Sequence, residues 1–287
     1  MRESARKAAL ALLATLVLAA PAGAPREARA ADTVALRTTE FGSGPTIVLL
    51  HGLGQGRLAW MPTARKLLSS YHVVMVDLPG HGDSPLPDPF SLEAAADAVD
   101  LVVSKQNPDS TIVAGTGVGG LLALMSASAH PAHQKGVVLI DAVLKSPVPI
   151  EDQQKKAFTD FMDQNYDQFL HMTFGRMGRD SAQSLAIHAM ASQVPPNTIK
   201  AYFRALLNVD GMTALKNLKT PMLPVFTERL LASDKDWPSA SKQVGWDDGQ
   251  SYTPRRIGKA GVLVASEQPD TLAAVLAGFA GRALAKK

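Results

Sequence analysis

Thr111-Ile112-Val113-Ala114-Gly115-Thr116-Gly117-Val118-Gly119-Gly120-Leu121-Leu122-Ala123-Leu124 reads as an apolar strand that breaks at a cluster of glycines and continues as a helix. Small residues flanking one central position suit a sharp strand-to-helix turn, where strand and helix pack closely and the central residue takes a strained backbone angle. Outward from this stretch the chain alternates strand-like and helix-like runs, the pattern of a mostly parallel sheet covered by helices. The predicted strands are Thr46 to Leu50, Val73 to Asp77, Thr111 to Ala114, Gly136 to Asp141, Met222 to Thr227 and about Thr253 to Ile257. The predicted helices include Leu58 to Ser70, Leu92 to Lys105 with Ser91 as its cap, Leu121 to Ala129 and Thr271 to Leu284.

Three further motifs surround it in order. Val48-Leu49-Leu50-His51-Gly52-Leu53-Gly54 puts a His-Gly turn directly after an apolar strand. Val73-Val74-Met75-Val76-Asp77-Leu78-Pro79-Gly80-His81-Gly82-Asp83-Ser84-Pro85 is a strand followed by two tight turns. Near the end, Arg255-Arg256-Ile257-Gly258-Lys259-Ala260-Gly261-Val262 leads into Gln268-Pro269-Asp270 at a helix start. Together they resemble the α/β-hydrolase superfamily, and its carboxylic-ester hydrolases in particular, over nearly the whole chain after residue 30. The fold implied is an α/β-hydrolase fold, a mostly parallel central sheet flanked by helices with an α-helical cap insertion.

Carried over residue by residue, the resemblance puts Gly117 at the nucleophile position and Val262 at the histidine position. Neither residue has a reacting group. Leu53 and Val118 take the positions whose backbone N–H groups form the oxyanion hole, and His51, Gly52 and Thr116 are expected to line the pocket. Thr116 carries the nearest hydroxyl, but making it the nucleophile puts Val118 where a small residue is needed. For the acid, the loop after Met222 to Thr227 offers Glu228, Asp234 and Asp236, and the family's usual spacing favours Asp234.

Since acyl transfer by this route needs a hydroxyl activated by an oriented base, serine-hydrolase catalysis is not expected. The leading expectation is binding of a small apolar or carbonyl-containing ligand. An alternative is an ester or amide hydrolase working through another constellation, such as His51 or His188 acting on a bound water. A third reading takes Gly115-x-Gly117-x-x-Gly120 with Asp141 as a dinucleotide-binding fingerprint.

From about Lys145 to Leu215 strand signals give way to Phe, Met, Tyr, Gln and Asp at helical spacing, so 146–215 is expected to be a helical insertion between core segments 31–145 and 216–287. Its stripe of Phe158, Phe161, Met162, Phe169, Met172, Phe174 and Met177 is expected to be ordinary inter-helix core. Residues 1–30 read as a secretory signal, with Arg2, Arg6 and Lys7 before the apolar run Ala8 to Ala20 and a small-x-small site at Ala28-Arg29-Ala30. A periplasmic or secreted mature protein starting at Ala31 follows. The formal charge of +3 comes from that leader, and 24 basic against 24 acidic residues remain without it. This balance gives no reason to expect nucleic acid as a partner. No run after the leader reaches the roughly 20 apolar residues of a membrane span. With no cysteine in the chain, disulfides and cysteine metal sites are excluded, and neither a metal nor a cofactor is expected.

Overall fold

A computed structural model of the chain describes residues 34–145, 150–246 and 252–285. The expected leader, and residues 146–149 of the expected insertion, lie outside the described residues. A seven-stranded sheet forms the centre, built from β1 (Thr38–Phe41), β2 (Thr46–Leu50), β3 (His72–Val76), β4 (Thr111–Thr116), β5 (Gly136–Ile140), β6 (Met222–Thr227) and β7 (Arg255–Ile257). The spatial order is β1-β3-β2-β4-β5-β6-β7, with β1 antiparallel to β3 and every other pair parallel. The six expected strands are all present. β1 carried no apolar signal because it is a short, half-exposed edge strand.

Both faces of the sheet are covered, which is why its strands read as continuous apolar runs rather than alternating ones. On one face Val48, Leu50, Val74, Val76, Val113 and Val137 pack with α2 (Leu92–Val103) and α3 (Val118–Ala129). On the other, Ile47, Leu49, Val73, Met75, Ile112 and Val138 pack with α1 (Met61–Leu67) and, beyond the sheet in sequence, the terminal helix Pro269–Ala283. Ser91 caps α2 by accepting from the Ala94 N–H at 3.0 Å.

Helix starts differ from the sequence reading where proline and glycine intervene. The predicted helix Leu58 to Ser70 is a 3-10 turn, Arg57–Trp60, followed by α1. Pro62 explains the division, because a proline is accommodated in a helix's first turn and not in its interior. α3 begins at Val118 rather than Leu121, since burial of Gly119 and Gly120 against the sheet overrides their poor helix propensity.

Between β5 and β6 the described chain is helical: α4 (Asp152–Gln164), α5 (Tyr166–Phe174), α6 (Ser181–Ala191), α7 (Pro196–Leu206) and α8 (Gly211–Asn217). The Phe and Met stripe largely forms the core among these helices, with Met162, Phe169 and Phe174 buried and Phe158 and Phe161 packed against them. Met172 departs from it, half exposed on α5. After β6 come α9 (Trp237–Gln243), α10 (Val264–Glu267) and α11 (Pro269–Ala283). Strand order reverses between β2 and β4, and an open α/β sheet binds ligands in the crevice at the carboxyl ends of such strands. His51 to Leu53 and Thr116 to Val118 both lie there.

Candidate functional site

Gly117 stands at the turn between β4 and α3 with φ 54° and ψ −119°. Its N–H donates to the Ile140 carbonyl at 2.8 Å, which pins the turn to the neighbouring strand. The surrounding glycines are there for space. A Cβ on Gly115 would lie 2.3 Å from the Gly119 carbonyl group, and one on Gly119 would lie 2.4 Å from the His51 oxygen. At Gly117 the situation reverses, since an added Cβ meets nothing within 4 Å. The strained conformation and the room for a side chain are both kept, although no side chain uses them.

That room opens into a cavity of about 260 Å³. Gly52, Leu53, Thr116, Gly117, Val118 and Val262 all line it, and the helices between β5 and β6 contribute Phe174, Met177 and Phe203. Gly117 and Val262 thus share one enclosure. Val262 is held from behind, with its carbonyl accepting from Gln55 Nε2 at 3.2 Å. The preceding turn is fixed by Glu267, whose Oε2 accepts from the Gly261 N–H at 2.6 Å. Among the described residues lining the cavity there is no imidazole, and Thr116 carries the only hydroxyl. Thr116 Oγ1 is buried without a hydrogen-bond partner. The Leu53 and Val118 N–H groups likewise find no partner among the described residues.

His51, expected to line the cavity and considered as an activator of water, does neither. Its Nε2 accepts from the Leu78 N–H at 3.0 Å and its Nδ1 lies 2.8 Å from the Gly52 carbonyl, so the ring is the neutral Nδ1–H tautomer with both nitrogens engaged. Complete burial lowers its pKa to about 4. His81 is held in the same way between the Gly54 N–H, at 3.3 Å, and the Pro79 carbonyl, at 3.1 Å. Burial, with the nearby His51 ring adding to it, takes its pKa to about 3. The two rings lie edge to face, 5.0 Å apart. His188 sits on α6 beside His171, in a separate depression. These histidines fasten loops or lie elsewhere, and none reaches the elbow cavity.

The acid expected at Asp234 is also corrected. Asp234 is exposed and is not part of the cavity lining. Asp236 is the N-cap of α9, accepting from the Ser239 N–H at 2.7 Å, and Glu228 accepts from the Lys259 N–H at 2.8 Å. The carboxylate that does line the cavity belongs to Asp141, just past the end of β5. It accepts from the Thr227 N–H at 2.8 Å and the Thr227 hydroxyl at 2.5 Å. Burial raises its pKa above the ordinary value, against the lowering effect of those two bonds and of the Arg229 charge.

The same geometry contradicts the dinucleotide reading. Gly115, Gly119 and Gly120 are pressed against backbone rather than opened to a pyrophosphate. The space before α3 is a mostly apolar cavity lined by Phe174, Met177 and Phe203, with Arg229 the one basic side chain among the described residues lining it. The sequence reading placed Asp141 only in the dinucleotide fingerprint, and Gln55, Arg229 and Glu267 in no site at all. For Asp141 a signal existed, because the carboxyl end of a central strand is where open α/β sheets place binding groups. Gln55, Arg229 and Glu267 come from loops and a short helix whose approach no local pattern encodes.

Comparison with known proteins agrees with this architecture. The model of the "Alpha/beta hydrolase family" matches residues 47–275. A pimeloyl-[acyl-carrier protein] methyl ester esterase of Pseudoalteromonas atlantica is 32% identical over 158 residues, covering 52% of this chain and 60% of that protein. The alignment therefore spans less than two thirds of that relative's length. The enzyme of the same name from Vibrio campbellii is 30% identical over 67% of this chain and 78% of its own. Among solved structures, an esterase of Thermogutta terrifontis superposes with a TM-score of 0.69 at 18% identity, covering 87% of this chain and 94% of that one, a likeness of fold. The family match takes in the strand-turn-helix at Gly117 and the turn at Val262 alike, and the chain belongs to the alpha/beta hydrolase family.

Proposed function

We propose that this chain is a non-hydrolytic member of its family that binds a small, mostly apolar molecule carrying a carbonyl or carboxyl oxygen. One observation carries the reading: the cavity keeps polar donors without partners and lacks both reacting groups. The unpartnered donors are the Leu53 and Val118 N–H groups and the Thr116 hydroxyl, while Gly117 and Val262 stand where a nucleophile and a base would be needed. A buried hydroxyl left unbonded costs about 1–3 kcal/mol, which a ligand oxygen would recover. The apolar walls from Phe174, Met177 and Phe203 suit an acyl chain. Helices α4 to α8 act here as a cap, and the leader-like run 1–30 supports export.

The pimeloyl-ester names of the relatives suggest a probe. Monomethyl pimelate is expected to bind saturably and to remain intact, with no methanol released. Thr116→Val should weaken binding about tenfold, the worth of one hydrogen bond at roughly 1.4 kcal/mol. Val262→Trp should fill the cavity and abolish binding. Methanol release by the unmodified protein above the uncatalysed rate would overturn the reading.

A second reading has one observation in its favour. The Asp141 carboxyl, with its raised pKa, lines the same cavity as the open space at Gly117, the arrangement a carboxylate-activated water requires. Methanol release that disappears in Asp141→Asn would favour it.

A further inference from the structure

α3 begins at the cavity and ends at His130, about 18 Å away at 1.5 Å per residue over its 12 residues. At that far end a second cluster of chemically capable side chains gathers. Asp97 and Asp100 lie one turn apart on α2, on the same helical face. His130 and His133 come from the end of α3 and the turn that follows, where the His133 N–H donates to the His130 carbonyl at 3.2 Å.

Donor atoms of Asp100, His130 and His133 all lie within 4.8 Å of one another. His133 Nδ1 is 2.9 Å from Asp100 Oδ1. His130 Nε2 is 3.9 Å from Asp100 Oδ2 and 4.0 Å from Asp97 Oδ1. These last two separations are too long for hydrogen bonds. They lie about half an ångström beyond the roughly 3.4 Å that separates two donors on one tetrahedral ion with bonds of about 2.1 Å, a gap that rotation of the exposed His130 ring closes. The two imidazoles are stacked, with ring planes 4° apart and centroids 5.3 Å apart.

Charge and access point the same way. Two carboxylates at one place make the cluster attractive to a cation. The Asp100 side chain is only 10% exposed, while His130 and His133 are 40% and 36% exposed, so an ion can enter from solvent and meet a carboxylate already fixed in place. Ser126 Oγ donates to Asp100 Oδ1 at 3.4 Å and steadies it.

We infer that Asp100, His130 and His133 bind a divalent transition-metal ion of the zinc type, with water in the fourth position and Asp97 adding negative charge beside it. Two imidazole nitrogens and one carboxylate oxygen, with a water completing four-coordination, suit zinc and are a poor set for magnesium or calcium, which take oxygen ligands. The ion ties the end of α3 to α2, remote from the elbow cavity and independent of what that cavity binds.

Calorimetric titration of the tag-free chain with zinc near neutral pH tests this, with magnesium as control. One equivalent should bind with micromolar or tighter Kd, and zinc should raise the melting temperature while magnesium does not. His130→Ala and His133→Ala should each weaken binding at least tenfold, and the double variant should lose both the equivalent and the melting shift. Both residues are surface-accessible, so circular dichroism is expected to show the variants folded. His188→Ala, which breaks the His171–His188 pair, should change nothing. Absence of zinc binding would overturn the inference, as would an equivalent that persists in the His130→Ala/His133→Ala protein.

Discussion

Asp141 and Thr227 are joined twice, the carboxylate accepting from the threonine's backbone N–H at 2.8 Å and from its hydroxyl at 2.5 Å. This double bond ties the end of β5 to the end of β6 and holds Asp141 at φ 49°, a left-handed conformation that costs a non-glycine residue about 1–2 kcal/mol. Hydrogen bonds to a charged group, at about 1.5–3 kcal/mol each, offset it.

Because burial raises the Asp141 pKa in the folded protein, its contribution to stability is fully present below the unfolded value of 3.8 and lost as pH rises through the folded value. Asp141→Asn removes that titration. Asparagine tolerates the backbone angle and keeps an acceptor for the Thr227 N–H. The melting temperature of the parent relative to Asp141→Asn should therefore fall as pH rises from about 3.5 to 7. Parallel curves would show that the carboxyl titrates normally.

His51 and His81 carry the opposite sign. Their folded pKa values, about 4 and about 3, lie below the ordinary histidine value of 6.5. Their stabilising contribution is present above pH 6.5 and lost as the pH falls, since the unfolded chain then takes up protons that the folded one refuses. Urea unfolding should show a stability loss between pH 6.5 and 4 on the order of 3 kcal/mol per imidazole. His51→Gln should lower stability at neutral pH and flatten this slope.

The elbow glycines should separate by their surroundings. Gly117→Ala meets only the strain of its backbone angles and should cost about 1–3 kcal/mol. Gly119→Ala drives a Cβ to 2.4 Å from the His51 carbonyl oxygen and should cost about 3 kcal/mol or more. Equal losses in thermal unfolding would mean that the turn is not as tight as described.

The sheet and the elbow were legible in the sequence because long apolar runs and spaced glycines state local requirements directly. Gly117 and Val262 could be matched to one site through the order of motifs, without any knowledge of distance. His51 looked like a site residue because it follows a strand at the cavity, whereas its ring turns back to bond Leu78 and Gly52. Asp234 followed from the family's usual spacing back from the histidine position, yet the carboxylate at the cavity comes from the neighbouring strand. The Asp97, Asp100, His130 and His133 cluster was invisible for a similar reason, since the packing of α2 on α3 creates it.

Asp141 lines the same cavity as Val262, and Asp234 does not. In a chain carrying Gly117→Ser and Val262→His, an added Asp141→Asn should therefore reduce ester hydrolysis at least tenfold, and an added Asp234→Asn should leave it unchanged. The reverse ranking in initial rates would return the acid position to the loop after β6.

The most direct test of the central claim is the rate of hydrolysis of a small activated ester by the unmodified protein against Gly117→Ser/Val262→His and each single variant, all confirmed folded. Residues of a triad act as a unit, and their effects are grossly non-additive. The account predicts background rates for the parent and both single variants, and clear turnover for the double. A parent already as fast as the double variant would contradict it.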